Sequence, residues 1–179
     1  MRNDIQSILF TSEQIAERVS QLGESLSKDF KGKSPLFVGV LKGSFVFMSD
    51  LIRCVGIPCS MDFMAVSSYG NKSKTTGAVK IHMDLNQDIE NRHVILIEDI
   101  LDSGLTLSYL VNYLNGRNPA STTIVALLDK PARRQSPVSA DYVGFEIPDA
   151  FVVGYGLDFA EKYRNLPYIG ILKPEVYAE

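Results

Sequence analysis

The segment His93–Thr106 constrains the fold of this chain more than any other part of its 179-residue sequence. Four apolar residues, Val94–Ile97, indicate a buried strand, and the acids Glu98 and Asp99 follow at its carboxyl end. A glycine-containing turn then leads into a helix predicted over Leu105–Leu114. A buried strand, a polar turn and a helix in this order are typical of an α/β fold with a mostly parallel sheet.

The predicted elements around this segment continue the alternation of helices and strands. An amphipathic helix is predicted over 11–30, because Ile15, Val19 and Leu22 recur at helical spacing after a capping-box pair. The other predicted elements are a strand at Leu36–Val40, a helix at Phe45–Val55, an antiparallel pair of strands at 61–66 and Val79–Met83, a strand at Thr123–Leu128, and short late strands at Val143–Phe145, Phe151–Val153 and Ile169–Leu172. Since 179 residues is the usual length of one domain, we predict a single domain over 1–179.

Composition and charge exclude several classes of protein. The chain is 45% hydrophobic and 22% charged, which is ordinary for a globular protein and unlike a disordered chain. Its formal net charge of -3 does not suggest a dedicated nucleic-acid-binding protein. Cys54 and Cys59 lack a CxxC spacing and are predicted to be reduced thiols. With neither a signal-like N-terminus nor an apolar stretch of about 18 residues, we expect a cytoplasmic protein with no membrane or nucleic-acid partner.

The residues that follow the buried strand predict a phosphate site. Free backbone amides at the start of a helix bind anions, and α/β proteins bind ligands at the carboxyl ends of their strands. Gly104 has no Cβ, so the backbone can approach an anion closely. Ser103 and Thr106 add hydroxyl donors at the same turn.

Three carboxylates beside this turn restrict the ligand further. Glu98, Asp99 and Asp102 would repel a phosphate alone, but carboxylates accept hydrogen bonds from sugar hydroxyls and bind Mg²⁺. A sugar phosphate satisfies both requirements. The alternative is that Asp102 and Ser103 only cap the helix and that the other two acids form a solvated strand end. That alternative does not explain two adjacent acids after a buried strand, so we favour a functional site.

Four segments of the chain resemble the type I phosphoribosyltransferases. Ile97–Thr106 is similar to the phosphoribosyl pyrophosphate loop of that family. Leu41–Ser44, Ser67–Gly70 and Phe145–Asp158 resemble the pyrophosphate loop, the mobile catalytic loop and the purine-binding region of its 6-oxopurine branch. The resemblance extends over about residues 36–164, and the four segments together resemble the bacterial hypoxanthine phosphoribosyltransferases.

The resemblance implies a fold, a reaction and partners. The fold would be a mostly parallel twisted sheet flanked by helices, with a core over about 36–145 and a small hood from the N-terminal segment and about 146–179. The reaction would transfer the 5-phosphoribosyl group from phosphoribosyl pyrophosphate to hypoxanthine or guanine. Its products would be the nucleoside monophosphate, IMP or GMP, and pyrophosphate. Mg²⁺ is the implied cofactor, and relatives form homodimers and homotetramers.

The resemblance also implies roles for individual residues around the phosphoribosyl group. The 5′-phosphate site would consist of Asp102, Ser103, Gly104, Leu105 and Thr106. The ribose hydroxyls and their Mg²⁺ would be bound by Glu98 and Asp99, and a second Mg²⁺ by Asp158. The pyrophosphate contacts would be Lys42, Gly43 and Arg164. Asp102 matches the acid that faces purine N7 as a general base.

The implied purine site consists of Lys130, Phe151, Val152 and Asp158. Lys130 would donate to the purine 6-oxygen, Phe151 would stack on the base, and Val152 would contact the base edge through its backbone. Ser68 and Tyr69 would belong to a lid that shields the reaction from water. The Leu41–Lys42 peptide is expected to be cis in some states, as it is in relatives.

The sequence alone leaves ordinary structural roles open for several of these residues. Lys130 and Arg164 could be surface residues, Phe151 and Val152 core residues, and Asp158 the cap of a turn. The fold could also carry a nucleotide-sensing regulatory or RNA-binding protein, although the acidic net charge gives no sign of a basic face. A transferase acting on xanthine or a pyrimidine is a further alternative, and the Lys130 and Phe151 matches argue against a pyrimidine.

Overall fold

The structure, a computed structural model, describes residues 1–68 and 79–178. The strands in this part of the chain are β1 (Ile5–Phe10), β2 (Leu36–Leu41), β3 (Ser60–Ser68), β4 (Val79–Met83), β5 (His93–Leu101), β6 (Ser121–Asp129), β7 (Tyr142–Glu146), β8 (Val152–Val153) and β9 (Ile169–Leu172). The helices are α1 (Ser12–Asp29), α2 (Phe45–Arg53), α3 (Leu105–Asn115) and α4 (Pro174–Tyr177), with short 3₁₀ helices at Arg2–Asp4 and Pro131–Arg133.

Six of the described strands form a central sheet in the order β4-β3-β2-β5-β6-β7. All neighbours are parallel except β4, which pairs antiparallel with β3. The crossovers from β2 to β3 and from β5 to β6 run through α2 and α3, as parallel neighbours require. The predicted α/β fold with a mostly parallel sheet is therefore confirmed.

Helices cover both faces of this sheet, which explains the uninterrupted apolar runs of its central strands. Phe37, Ile95 and Ile97 point to the face covered by α1 and α2. Val38 and Leu96, which alternate with them, point to the face covered by α3. Strands that are buried on both faces have no solvent-exposed side, so their sequences do not alternate between apolar and polar residues.

A second sheet lies apart from the central one and combines the two ends of the chain. Its order is β1-β9-β8, and both pairings are antiparallel. We call this sheet together with residues 146–168 the hood. The predicted late strand at 151–153 is shorter in the structure, because Phe151 lies outside β8. That the hood and the central sheet form one domain stays a prediction, which a single cooperative unfolding transition in calorimetry would support.

Several other elements differ from their predictions for local reasons. Strand β1 was not predicted, because its apolar residues do not alternate regularly and Ile8 remains 55% exposed. Helix α2 ends at Arg53, two residues early, and Cys54 caps it before Gly56 and Pro58. In α1 both hydrogen bonds of the predicted capping box are present. Among the described residues, no helix has the length and apolar character needed to cross a membrane.

Candidate active site

The carboxyl ends of β2 and β5 open into a cavity of about 420 Å³ between the central sheet and the hood. The predicted site residues that line it are Lys42, Gly43, Glu98, Asp99, Asp102, Ser103, Gly104, Thr106, Asp158 and Arg164. Residues far apart in the sequence meet here because parallel strands present their carboxyl ends at one edge of the sheet. We call this space the main cavity.

The phosphate loop, Asp102–Thr106, connects β5 to α3 at one end of the main cavity. Gly104 has a φ of +78°, a left-handed conformation that costs other residues about 1–2 kcal/mol. A Cβ at this position would lie 2.7 Å from Ser136 Oγ and Val138 Cγ1, so any other residue would force these side chains or the loop to shift. Helix α3 therefore begins with backbone amides close to the cavity, which is the arrangement that binds anions.

Two acids at the end of β5 form a partly buried carboxylate pair. Glu98 Oε2 is buried and has no hydrogen-bond partner among the described residues. Burial raises the pKa of Glu98 well above its ordinary value, and the charge of Asp99 adds to this effect. Burial also raises the pKa of Asp99, although the backbone N–H of Ile100 and the charge of Arg164 act in the opposite direction. Two crowded carboxylates with a free oxygen form a site that a cation would stabilise.

Gly43 lies directly against this pair. A Cβ at Gly43 would overlap Asp99 Oδ2, so no other residue fits while Asp99 keeps its position. Gly43 also meets the hood, since a Cβ at Gly156 would overlap the Gly43 carbonyl oxygen. The neighbouring Leu41–Lys42 peptide is cis. The end of β2, the acidic pair and the hood thus meet at Gly43.

The opposite end of the main cavity contains charged side chains. Lys42 Nζ lies 3.1 Å from Glu161 Oε2, and Arg164 Nη2 lies 2.9 Å from Asp158 Oδ1 and 3.6 Å from Glu161 Oε1. Arg164 Nη1 donates to the Gly156 carbonyl at 2.8 Å. The hydrogen bond and charge of Lys42 hold the pKa of Glu161 below its ordinary value. Sequence reasoning missed Glu161.

A smaller cavity of about 230 Å³ adjoins the main one, and Asp102 lines both. Its walls include Lys130, Phe151, Val152 and Asp158. Lys130 is 7% exposed, and its Nζ donates to the Ala150 carbonyl at 2.9 Å, so the surface alternative for Lys130 is wrong. Asp102 Oδ1 is buried and has no hydrogen-bond partner within the described residues.

The aromatic wall of the small cavity is only partly sequestered. Phe151 is 36% exposed. Its ring stacks on that of Tyr177 with the ring centroids 4.8 Å apart, and it packs edge-on against the ring of Phe159 with the centroids 5.5 Å apart. Val152 is 6% exposed and pairs with Ile171 in the hood sheet. Phe151 is therefore not a core residue, whereas Val152 belongs to the core and to the cavity wall at once.

Known proteins that resemble this chain identify its family. The model of the phosphoribosyl transferase domain matches residues 6–160. The chain belongs to the phosphoribosyltransferase family. It is 54% identical over 177 residues to the hypoxanthine-guanine phosphoribosyltransferase of Bacillus subtilis, covering 99% of this chain and 98% of that protein.

Two further relatives of this phosphoribosyltransferase extend the comparison. A bifunctional protein TilS/HprT of Listeria monocytogenes is 55% identical over all 179 residues, and this chain spans only 28% of its length. The crystal structure of a hypoxanthine phosphoribosyltransferase from Staphylococcus aureus superimposes with a TM-score of 0.97 at 52% identity, covering 100% of this chain and 97% of that one. The predicted family and fold are confirmed.

Some predicted site residues of this phosphoribosyltransferase do not stand where the sequence suggested a direct role. Leu105 lines neither cavity, and its amide donates to Ser103 Oγ at 3.4 Å. Asp158 lines both cavities and pairs with Arg164, and its role as a ligand of a second Mg²⁺ stays a prediction. Among the described residues no group of three or more His, Cys, Asp or Glu is placed to hold a metal. Tyr69 and the side chain of Ser68 lie outside the described part of the structure.

Proposed function

We propose that this phosphoribosyltransferase transfers the 5-phosphoribosyl group from phosphoribosyl pyrophosphate to hypoxanthine or guanine, forming IMP or GMP and releasing pyrophosphate. Its relatives at 52–54% identity over nearly the whole chain carry the names of hypoxanthine and hypoxanthine-guanine phosphoribosyltransferases. The observation that carries the proposal is the junction of the two cavities, which share Asp99, Ile100, Asp102 and Asp158 as lining residues. A sugar diphosphate fits the polar main cavity, and a planar base fits the smaller one.

The junction places a base where the reaction needs one. The bond between ribose C1′ and the pyrophosphate oxygen breaks, and the electron pair leaves with pyrophosphate. A purine ring nitrogen forms the new bond to C1′ and the ring loses a proton, which the Asp102 carboxylate accepts. The Asp102 carboxylate is suited to that role because Asp102 lines both cavities.

The buried lysine of the small cavity accounts for the choice of purine. A lysine ammonium only donates hydrogen bonds, so Lys130 favours a 6-oxygen over the donor amino group of adenine. A site that places a hydrogen-bond donor against a donor of the wrong base rejects that base more strongly than a site that only differs from it in size. Val152 would contact the base edge through its backbone, and the exposed face of Phe151 would stack on the base.

The acidic pair fits the Mg²⁺ that the family uses. Mg²⁺ is usually held by one or two protein carboxylates together with substrate oxygens and water, so a pair such as Glu98 and Asp99 is sufficient. The free Glu98 Oε2 and the crowding of the two carboxylates are the features that favour a cation here. When bound, Mg²⁺ would offset charge on the diphosphate. We retain Asp158 as a weaker candidate ligand, since Arg164 already neutralises it.

The charged end of the main cavity would bind the leaving pyrophosphate. Lys42 and Arg164 offer positive charge, and Gly43 lines the same cavity beside them. At the other end, the amides and hydroxyls of Ser103, Gly104 and Thr106 would bind the 5′-phosphate. We keep Ser68 and Tyr69 as predicted lid residues.

We further propose that the protein works in the cytoplasm as a homodimer or homotetramer. Phosphoribosyl pyrophosphate, the nucleoside monophosphates and pyrophosphate carry several charges and do not cross a bilayer unaided. Light scattering during gel filtration measures the number of subunits.

A spectrophotometric assay with phosphoribosyl pyrophosphate, Mg²⁺ and each purine in turn tests the function. We expect turnover of hypoxanthine and guanine, none of adenine, and loss of activity when a chelator removes Mg²⁺. Absence of turnover with every purine would overturn the proposal, and a protein that bound nucleotides or RNA without turnover would fit the regulatory alternative.

A further inference from the structure

The segment 130–138, which follows β6, packs beneath the phosphate loop rather than in the wall of the main cavity. Of its residues only Lys130 lines a cavity among those that form the active site. Gly104 approaches Ser136 and Val138 so closely that no side chain would fit between them. The proposed function leaves the remaining residues of this segment without a role.

Three successive carbonyls, one at the end of β5 and two in the phosphate loop, accept hydrogen bonds from this segment. The Leu101 carbonyl accepts from Lys130 N at 3.0 Å and from Arg134 Nη2 at 3.4 Å. The Asp102 carbonyl accepts from Arg134 Nε at 3.1 Å. The Ser103 carbonyl accepts from the amides of residues 135 and 136 at 2.9 and 3.3 Å.

Because the peptide bond is planar, these hydrogen bonds to the carbonyls also fix the direction of the N–H groups in the same peptide units. In a trans peptide the N–H points opposite to the C=O of the same unit. Because the carbonyls of Asp102 and Ser103 face the segment beneath, the amides of Ser103 and Gly104 face away from it, toward the cavity side. Within the described residues these two amides have no protein acceptor. They are therefore available to an anion before any ligand arrives.

Arg134 is the side chain that contributes to this arrangement, through the carbonyls of Leu101 and Asp102. It also donates to the Val138 carbonyl at 2.6 Å and forms an ion pair with Asp129 at the end of β6. Its guanidinium is planar and presents several donors in a fixed fork. A single group thus ties the strand end, the segment and the loop together.

We propose that Arg134 is a positioning residue for the 5′-phosphate: it orients the peptides of the phosphate loop so that their amides bind the anion. This inference rests on the proposed function, because it assigns the loop to the phosphate of the phosphoribosyl group. Arg134 itself touches no substrate. Its effect should therefore be confined to ligands that carry the 5′-phosphate.

Calorimetric titration of the full chain with IMP, and separately with pyrophosphate and Mg²⁺, tests the proposal. We expect Arg134→Lys, which loses the fork, to weaken IMP binding by about tenfold, the usual effect of one lost charge-assisted hydrogen bond. Arg134→Met should weaken it further. Pyrophosphate affinity should stay within about twofold of the wild-type value in both variants, because the other end of the cavity is unchanged.

Arg18 provides the matched control. It also donates to two backbone carbonyls, those of Gly144 at 2.8 Å and Val143 at 2.7 Å, but it lies on α1 away from both cavities. Arg18→Met should lower the melting temperature without changing IMP affinity. Calorimetry and the melting curve together separate a loss of stability from a loss of positioning.

Two results would overturn the inference. One is a folded Arg134→Lys protein with wild-type IMP affinity. The other is an equal loss of IMP and pyrophosphate binding, which would indicate general disruption. Should Arg134→Met fail to fold, the lysine variant decides. A wild-type protein that bound no IMP would instead overturn the proposed function.

Discussion

At one end of the main cavity, the phosphate loop offers backbone amides whose carbonyls are held from below by segment 130–138. At the other end, Lys42 and Arg164 offer charged side chains that are already paired with Glu161 and Asp158. The first end is prepared before a ligand arrives, since its donors have no competing acceptor among the described residues. The second is neutralised by acids that an incoming anion must displace. We expect the two ends to differ in their tolerance of substitution and in their response to salt.

The largest effect is expected at Asp102, which belongs to the loop and lines both cavities. Asp102→Asn removes the proton acceptor and keeps the shape, so kcat should fall by about 10²–10⁴-fold. IMP affinity should change little. Steady-state kinetics and calorimetry measure the two quantities, and Asp88→Asn on the surface is the control for the substitution itself. A near-normal kcat would reject the role of Asp102 as general base.

The next largest effect is expected in the phosphate loop, at the end of the main cavity whose amides find no acceptor among the described residues before a ligand binds. Gly104→Ala places a Cβ against Ser136 and Val138 at a φ of +78°, so the loop must shift. We expect calorimetry to show IMP affinity reduced by about tenfold or more, and thermal unfolding to show a loss of about 1–2 kcal/mol of stability from backbone strain alone.

The control variant Gly32→Ala separates the effect of backbone strain from the effect of the steric clash. Gly32 has the same φ of +78°, but no atom lies within 4 Å of the point that an added Cβ would occupy, so Gly32→Ala carries the strain without the clash. Its stability should fall while IMP binding stays unchanged. Equal IMP affinities in the two alanine variants would show that the loop does not depend on this close packing.

The difference between the two ends also explains which parts of the site the sequence could predict. The phosphate loop is local: a strand, a turn and a helix follow one another within His93–Thr106, and each has its own sequence pattern. The fit of Gly43 against Asp99 is not local, because these residues follow different strands. The sequence also did not predict that Arg134 supports the phosphate loop. Its partners are backbone carbonyls, and no pattern of side chains reveals such contacts.

The contact between Lys42 and Glu161 of the hood was not predicted, for a related reason. Glu161 lies in a turn where Ala160, Glu161 and Tyr163 all have positive φ without being glycine. Its partner Lys42 is 119 positions away in the chain. No glycine or proline marks this turn, and no periodicity links the two residues. Only the folded chain brings the carboxylate to the lysine.

A third variant, Lys42→Met, removes the lysine from the charged end of the main cavity. Lys42→Met should lower kcat/KM for phosphoribosyl pyrophosphate by about 10²-fold, as expected for one donor to a developing negative charge. IMP carries no pyrophosphate, so its affinity should change by less than about threefold if the two ends act separately. Lys28→Met, an exposed lysine on α1, controls for the change in net charge. A large loss of IMP affinity would contradict the separation of the two ends.

The smallest effect is expected at Glu161, and its sign is the sharpest test of the difference between the two ends. Because its carboxylate pairs with Lys42 and Arg164, the two cations proposed to bind pyrophosphate, Glu161→Gln should strengthen pyrophosphate binding rather than weaken it. The pair is exposed, so the gain should be about two- to fivefold at low salt and should vanish near 1 M salt, where the screening length is about 3 Å. Glu17→Gln, an exposed acid on α1, makes the same change in net charge away from the site. Weaker pyrophosphate binding in Glu161→Gln would mean that Glu161 supports Lys42 instead of competing for it. In that case both ends of the cavity would be prepared in advance, one by backbone contacts and the other by an acid.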